Sequence, residues 1–255
     1  MTARIEVENL VVEFESPQGD GSIFRAVGPI SFSIEAGAFV SLVGPSGCGK
    51  STLIRVAAGL LAPTSGRVML DGQTITEPSP RMALMFQNAN LMPWRTVYDN
   101  IALPLELSGV PIKERTQAVS ALLPTLGLAD FATAYPGELS GGMAQRVALG
   151  RVLIQRPNVL LLDEPFGALD AMTREQVSAD LMAICQIEQQ TVLMVTHDIN
   201  EAVLMSDRVL VMSRRPGRLS ADVMVSLPRP RDLTDTYSED FGKTARQVRA
   251  VIDRG

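Results

Sequence analysis

Apolar positions along the chain fall into two textures. Short runs that are apolar at nearly every position alternate with glycine-bearing turns from Met1 to about Phe86, and again from about Asn158 onward. These runs are Phe39 to Val43, Val68 to Leu70, Ala83 to Phe86, Val159 to Leu162, Val192 to Val195 and Val209 to Met212. Runs without polar interruption read as strands buried on both faces, the condition of a parallel sheet covered by helices. Between Asn88 and Pro157 the apolar spacing changes to three and four, which predicts helices over Val97 to Leu107, Ile112 to Leu126 and Ser140 to Ile154. A further helix is predicted from Ala171 to Glu188, with Met172, Val177, Leu181, Ile184 and Ile187 largely on one stripe facing the sheet. The organisation that follows is an α/β core from residues 1–87 and 158–255, interrupted by a helical subdomain over 88–157.

Composition narrows the class. With 255 residues, 46% hydrophobic and 20% charged, the chain can bury a substantial core and reads as a globular protein. No stretch approaches the ~18 consecutive apolar residues of a membrane span. The start, Met1 to Glu8, lacks a basic region followed by an apolar signal segment, so the chain is expected to stay where it is made. Cys48 and Cys185, with a single histidine, cannot build a disulfide framework or a four-ligand zinc site. A net charge of −5 gives no overall basic footprint, and nucleic acid is not expected as a partner.

The strand Phe39 to Val43 runs into Gly44-Pro45-Ser46-Gly47-Cys48-Gly49-Lys50-Ser51, which fits GxxxxGK[ST] and opens a helix pattern from Lys50 to Leu61. Glycines let successive amides turn toward a phosphate, and the helix N-terminus adds its positive end. Lys50 suits the β/γ-phosphates, the Ser51 hydroxyl suits Mg²⁺, and Thr52 assists from the next position. Cys48 has no histidine near it in sequence to activate it and reads as a small filler.

The strand Val159 to Leu162 ends in Asp163-Glu164, two carboxylates at the sheet edge where open α/β sheets bind ligands. Asp163 suits holding Mg²⁺ and Glu164 suits accepting a proton from an attacking water. Either could instead cap the helix that follows. His197 follows the strand Val192 to Val195 and emerges at the same edge, where it could contact a γ-phosphate or the water, or serve only structure. Leu139-Ser140-Gly141-Gly142-Met143 opens another helix with a serine cap, a second anion cradle.

This combination resembles the ABC ATPases, whose signature is similar to LSGGQ; here Met143 stands in place of the glutamine. Gln87 matches the family's Q-loop, Gly167-Ala168-Leu169-Asp170 its D-loop, and His197 its switch histidine. The resemblance implies a P-loop NTPase (RecA-like) core with an N-terminal antiparallel β subdomain and an inserted helical subdomain. It implies ATP and Mg²⁺ as ligands, with Gln87 near metal and water and Asp170 at the nucleotide. Phe14 is the better match to the aromatic that stacks on adenine, with Phe24 the rival. It further implies a second cassette, in a homodimer whose Ser140, Gly141 and Gly142 cover the nucleotide held by the other copy's P-loop. Gly150, where the family has alanine, is expected to weaken its helix slightly.

The segments Phe166 to Asp170, Arg214-Arg215-Pro216-Gly217-Arg218 and Leu227-Pro228-Arg229-Pro230-Arg231 resemble the nitrate/sulfonate/taurine importer branch. That resemblance implies a separate transmembrane permease, a solute-binding protein acting through it, and a peripheral position on the cytoplasmic face of the inner membrane. Because the chain ends soon after the core, the regulatory β-domain appended to many sugar-importer ATPases is not expected. Asn88 to Thr96 matches the permease-docking segment, within which Trp94 is either a partner anchor or core packing. The alternative reading is a soluble ABC mechano-ATPase of DNA repair or translation.

Overall fold

The computed structural model describes residues 2–16, 21–167 and 169–254, without the side chains of 186–188. Ala168 of the D-loop match and the Ile187 side chain of the predicted stripe lie outside the described residues. In chain order the elements are β1 (Ile5–Glu15), β2 (Ile23–Ile34), β3 (Phe39–Val43), α1 (Lys50–Ala57), β4 (Ser65–Leu70), β5 (Gln73–Thr74), β6 (Met82–Met85), α2 (Val97–Leu107), α3 (Ile112–Leu122) and α4 (Gly141–Leu153). They continue with β7 (Val159–Asp163), α5 (Ala171–Glu188), β8 (Thr191–Val195), α6 (Ile199–Met205), β9 (Arg208–Met212), β10 (Leu219–Met224) and α7 (Glu239–Arg254).

The strands form two sheets. The larger has the order β10-β9-β3-β8-β7-β6; its strands are parallel except β10, which closes one edge antiparallel. The smaller is antiparallel, in the order β2-β1-β4-β5. Every residue of β3, β7 and β8 is buried, and strand alternation divides those residues between two cores. Val40, Leu42, Leu161 and Leu193 pack with α1 and the small sheet, whereas Phe39, Val43, Leu160 and Met194 pack with residues of α2, α4, α5 and α6. A run apolar at every position is therefore what a strand with helices on one side and a second sheet on the other requires.

Several predicted boundaries move, each for a local reason. Helix α3 stops at Leu122 rather than Leu126: Leu123 still has helical backbone, but Pro124 has no N–H to donate back to the preceding turn. Helix α1 stops at Ala57, short of Leu61, with Gly59 at φ 72° in the turn that follows. Phe86 lies outside β6 and is exposed. Met172 does not face the sheet: it sits in the first turn of α5 and is 83% exposed, while Val177 and Leu181 are buried. Trp94 is 72% exposed, which overturns the core-packing alternative.

Gly150 has a packing role that outweighs its low helix propensity. A Cβ there would lie 2.6 Å from Leu126 Cδ1 and 3.2 Å from Ile101 Cδ1, so the glycine lets α4 approach α2 closely.

Candidate functional site

The parallel order of β3, β7 and β8 delivers the ends of three strands to one edge. The loop after β3, Glu164 just past β7 and the histidine after β8 meet there around a cleft of about 520 Å³. A larger groove of about 670 Å³ runs between α3 and the end of α4. It carries no phosphate-binding loop, so size does not pick the site.

Phe14, Ser46, Gly47, Gly49, Lys50, Ser51, Thr52, Gln87, Glu164 and His197 all line the cleft. Gly49 precedes α1 at φ 101°, and a Cβ on it would stand 2.4 Å from Val27 Cγ2; both facts demand glycine. No side chain caps α1, which leaves its first amides for a ligand. Lys50 is buried and its ammonium donates to the carbonyls of Gly44 (2.8 Å) and Pro45 (3.1 Å), folded back over its own loop. Cys48 is buried beneath that loop, and burial pushes its thiol up, in keeping with the filler reading.

Ser51 and Asp163 are brought together, the Ser51 hydroxyl donating to Asp163 Oδ1 at 3.0 Å. Asp163 is only 4% exposed, and its burial pushes the carboxyl above the ordinary range, with the Ser51 hydroxyl pulling it partly back. The charges of Arg55 and Lys50 offset that burial least, and the Glu164 charge works against them. Two hard oxygens at that spacing fit a divalent cation such as Mg²⁺.

Glu164 stands one residue beyond β7. Its N–H donates to Val195 O at the end of β8 (2.8 Å), and its backbone sits at φ 48°, a left-handed conformation that costs a non-glycine residue about 1–2 kcal/mol. The side chain is thereby aimed into the cleft instead of capping a helix. Gln87 Nε2 donates to Glu164 Oε2 at 3.0 Å, and His197 Nδ1 lies 3.3 Å from the same oxygen. Gln87's amide is thus placed on Glu164, while the Ser51–Asp163 pair stands apart. His197 is held between two anchored neighbours: Asp198 N–H donates to Thr196 Oγ1 (3.0 Å), and the Asp198 carboxylate caps α6. Its own ring is 62% exposed, so it is free to turn toward a ligand.

At the other end of the cleft the β1–β2 register sets Phe14 opposite Phe24, with ring centroids 5.9 Å apart. Both rings line the cleft, so the choice between them becomes a pair. Arg215 lines it as well.

Ser140, Gly141, Gly142 and Asp170 lie elsewhere. Ser140 caps α4, accepting from Met143 N–H at 3.2 Å, and Asp170 caps α5, accepting from Thr173 N–H at 3.0 Å. The Thr173 hydroxyl, and then its N–H, hold the Asp170 carboxyl below the ordinary range. A Cβ on Gly142 would stand 3.1 Å from Thr173 Cγ2 and 3.4 Å from Leu169 Cδ2, so these two helix ends form one surface.

Two residues that the sequence did not flag tie this surface to the cleft. Gln145, buried in α4, donates to the backbone carbonyl of Gln87 (3.4 Å), and Arg151 donates to the carbonyls of Ala89 (2.7 Å) and Asn90 (2.9 Å). Side chain to carbonyl bonds of this kind leave no motif, and only a polar residue on the apolar side of α4 hints at them.

Comparison with known proteins gives this geometry a family. The ABC transporter family profile matches residues 27–167. An uncharacterised ABC transporter ATP-binding protein of Methanocaldococcus jannaschii is 45% identical over 243 residues, covering 95% of this chain and 90% of that one. The aliphatic sulfonates import ATP-binding protein SsuB of Bacillus cereus is 44% identical over 226 residues, covering 89% and 88%. The nitrate import ATP-binding protein NrtC of Synechococcus elongatus is 45% identical over 91% of this chain, which spans only 35% of that longer relative. Among solved structures, a dimeric post-hydrolysis ATP-binding cassette bound to ADP and Pi superposes with a TM-score of 0.79 at 30% identity, over 88% of this chain and 100% of that chain. With a profile spanning more than half its length and relatives aligned over nearly all of it, the chain belongs to the ABC transporter family, as an ATP-binding ATPase subunit.

Proposed function

We propose that this chain is the motor of an importer for a small solute of the nitrate/sulfonate/taurine class, closing head to tail with a second copy around two MgATP. The observation that carries the reading is the division of the site. The P-loop, Glu164, Gln87 and His197 line one cleft, with Asp163 bonded to Ser51 of that wall, while Ser140, Gly141 and Gly142 stand on a separate surface. A second copy supplying that surface completes the cover over the γ-phosphate, so closure depends on ATP and hydrolysis removes the attraction.

In the proposed reaction Lys50 turns from the Gly44 and Pro45 carbonyls to the β/γ-phosphates. Ser51 and Asp163 would hold Mg²⁺, which neutralises phosphate charge when bound. Glu164 accepts a proton from a water whose oxygen bonds to the γ-phosphorus as the bond from that phosphorus to the β,γ-bridging oxygen breaks, leaving ADP and inorganic phosphate. Gln87 and His197, both resting on Glu164 Oε2, are placed to position that water and the γ-phosphate.

Relatives named for aliphatic sulfonates and nitrate, together with a bicarbonate transport protein at 46% identity, support the importer class. Their different solutes at near-equal identity support a reading in which solute choice belongs to the permease and binding protein. Trp94, Leu107 and Ile112, all strongly exposed, offer apolar anchors for a permease, and no described helix is long and apolar enough to cross a membrane. The reading places the chain peripherally on the cytoplasmic face of the inner membrane, beside that permease. The mechano-ATPase alternative finds no support among the relatives named. Reconstitution with the permease encoded beside this chain tests the reading: solute-loaded binding protein should raise ATP turnover. Turnover indifferent to permease but responsive to DNA or ribosomes would overturn it.

A further inference from the structure

The two arginine-bearing runs of the C-terminal half have different tasks. In the second, Arg231 is buried and its guanidinium donates to the carbonyls of Val203, Leu204 and Ser206, closing the C-terminus of α6, while Arg229 pairs with Asp207. That run is structural. In the first, Arg215 is exposed, lines the nucleotide cleft and holds its guanidinium carbon 4.9 Å from the centroid of the Phe24 ring.

The loop that carries Arg215 is part of the cleft wall. It follows β9, which runs parallel to β3, so it leaves the sheet at the same edge as the P-loop. Gly28 N–H donates to Gly217 O (2.8 Å) and Gly217 N–H to Ala26 O (3.1 Å), fastening the loop to β2. A Cβ on Gly217 would stand 2.0 Å from the Cys48 carbonyl oxygen and 2.5 Å from Met212 Cε; the loop therefore rests directly on the P-loop backbone. Ser213 closes it from below, its N–H donating to Arg218 O at 2.9 Å.

We propose that Arg215 is a nucleotide-binding residue on the base side of the cleft. With the phosphates on the P-loop, the base lies toward Phe14 and Phe24, where the facing charged group is Arg215. A planar guanidinium that rests on one aromatic face is equally suited to the face of a purine, and an arginine there shields the base from water without disturbing the phosphates. The inference rests on the reading of the cleft as an ATP site.

Calorimetric titration of the full chain with ATP, ADP and inorganic tripolyphosphate tests it, using wild type, Arg215→Ala and Arg215→Lys. Arg215→Ala should weaken ATP and ADP about 3- to 30-fold, the scale of one cation–π or stacking contact, and leave tripolyphosphate unchanged. Arg215→Lys keeps the charge but not the plane and should recover only part of the loss. Unaltered ATP affinity in Arg215→Ala, an equal loss for tripolyphosphate, or full recovery in Arg215→Lys would each overturn the base-side role. Wild type that binds no ATP would instead overturn the ATP-site reading itself.

Discussion

Helices α1 and α4 both open on glycines and both present backbone amides at their N-termini, yet they stand in opposite conditions. The start of α1 has no side-chain cap and shares its cleft with Lys50, Glu164 and the aromatic pair. The start of α4 is capped by its own Ser140, and Ser140 and Gly141 are exposed. A helix end that leaves its amides unspent inside a charged cleft is ready for a ligand. One that is self-capped on the surface is stable alone and gains a ligand only when another body brings it. On the proposed reading the first is a lock and the second a key that another copy brings.

The comparison breaks most sharply at Glu164. Glu164→Gln should retain ATP binding while steady-state hydrolysis falls about 10²- to 10⁴-fold, as for a lost general base; near-normal turnover would move the base elsewhere. On the other surface, Ser140→Arg should cut hydrolysis by about 10²-fold, the scale of a lost transition-state donor, and abolish ATP-induced dimers in light scattering. Its binding of ATP as a monomer should persist; normal dimers would show that the α4 end is not the key.

Lys50→Ala acts on the lock alone. It should weaken ATP about 10- to 100-fold, the worth of a charge-assisted hydrogen bond of ~1.5–3 kcal/mol, with the fold intact by circular dichroism. The smallest effect concerns Asp163. Because burial holds its carboxyl above the ordinary range, the folded chain grips that proton more tightly than the unfolded one. The resulting stability is full below the unfolded pKa and is lost as pH rises through the folded one. Asp163→Asn should therefore raise the nucleotide-free Tm by about 2–4 °C at neutral pH, a gain that shrinks in acid, while removing the Mg²⁺ dependence of ATP binding. A lower Tm at neutral pH would contradict the buried-charge argument.

What could be read from the chain in advance followed its local physics. Helix α2 was legible to the residue because Thr96 caps it and the apolar spacing holds to Leu107. The P-loop was legible because strand, glycines and lysine are contiguous. What escaped was non-local. Phe14 and Phe24 face each other through the β1–β2 register, which no motif encodes, and Arg215 joins them only because β9 is parallel to β3. Gln145 and Arg151 reach carbonyls some sixty residues away, at Gln87 and Ala89–Asn90, and carbonyl acceptors have no sequence identity. Met172 fitted the helical stripe by spacing, but the spacing cannot tell where along α5 the sheet begins.

Trp94 is the chain's only tryptophan and stands open to solvent on the turn before α2. Its indole emission consequently reports on one patch of surface and nothing else. Water-relaxed and red in the free subunit, it should shift to the blue when a partner covers that turn, so docking on the proposed permease can be followed optically in a subunit that carries no label.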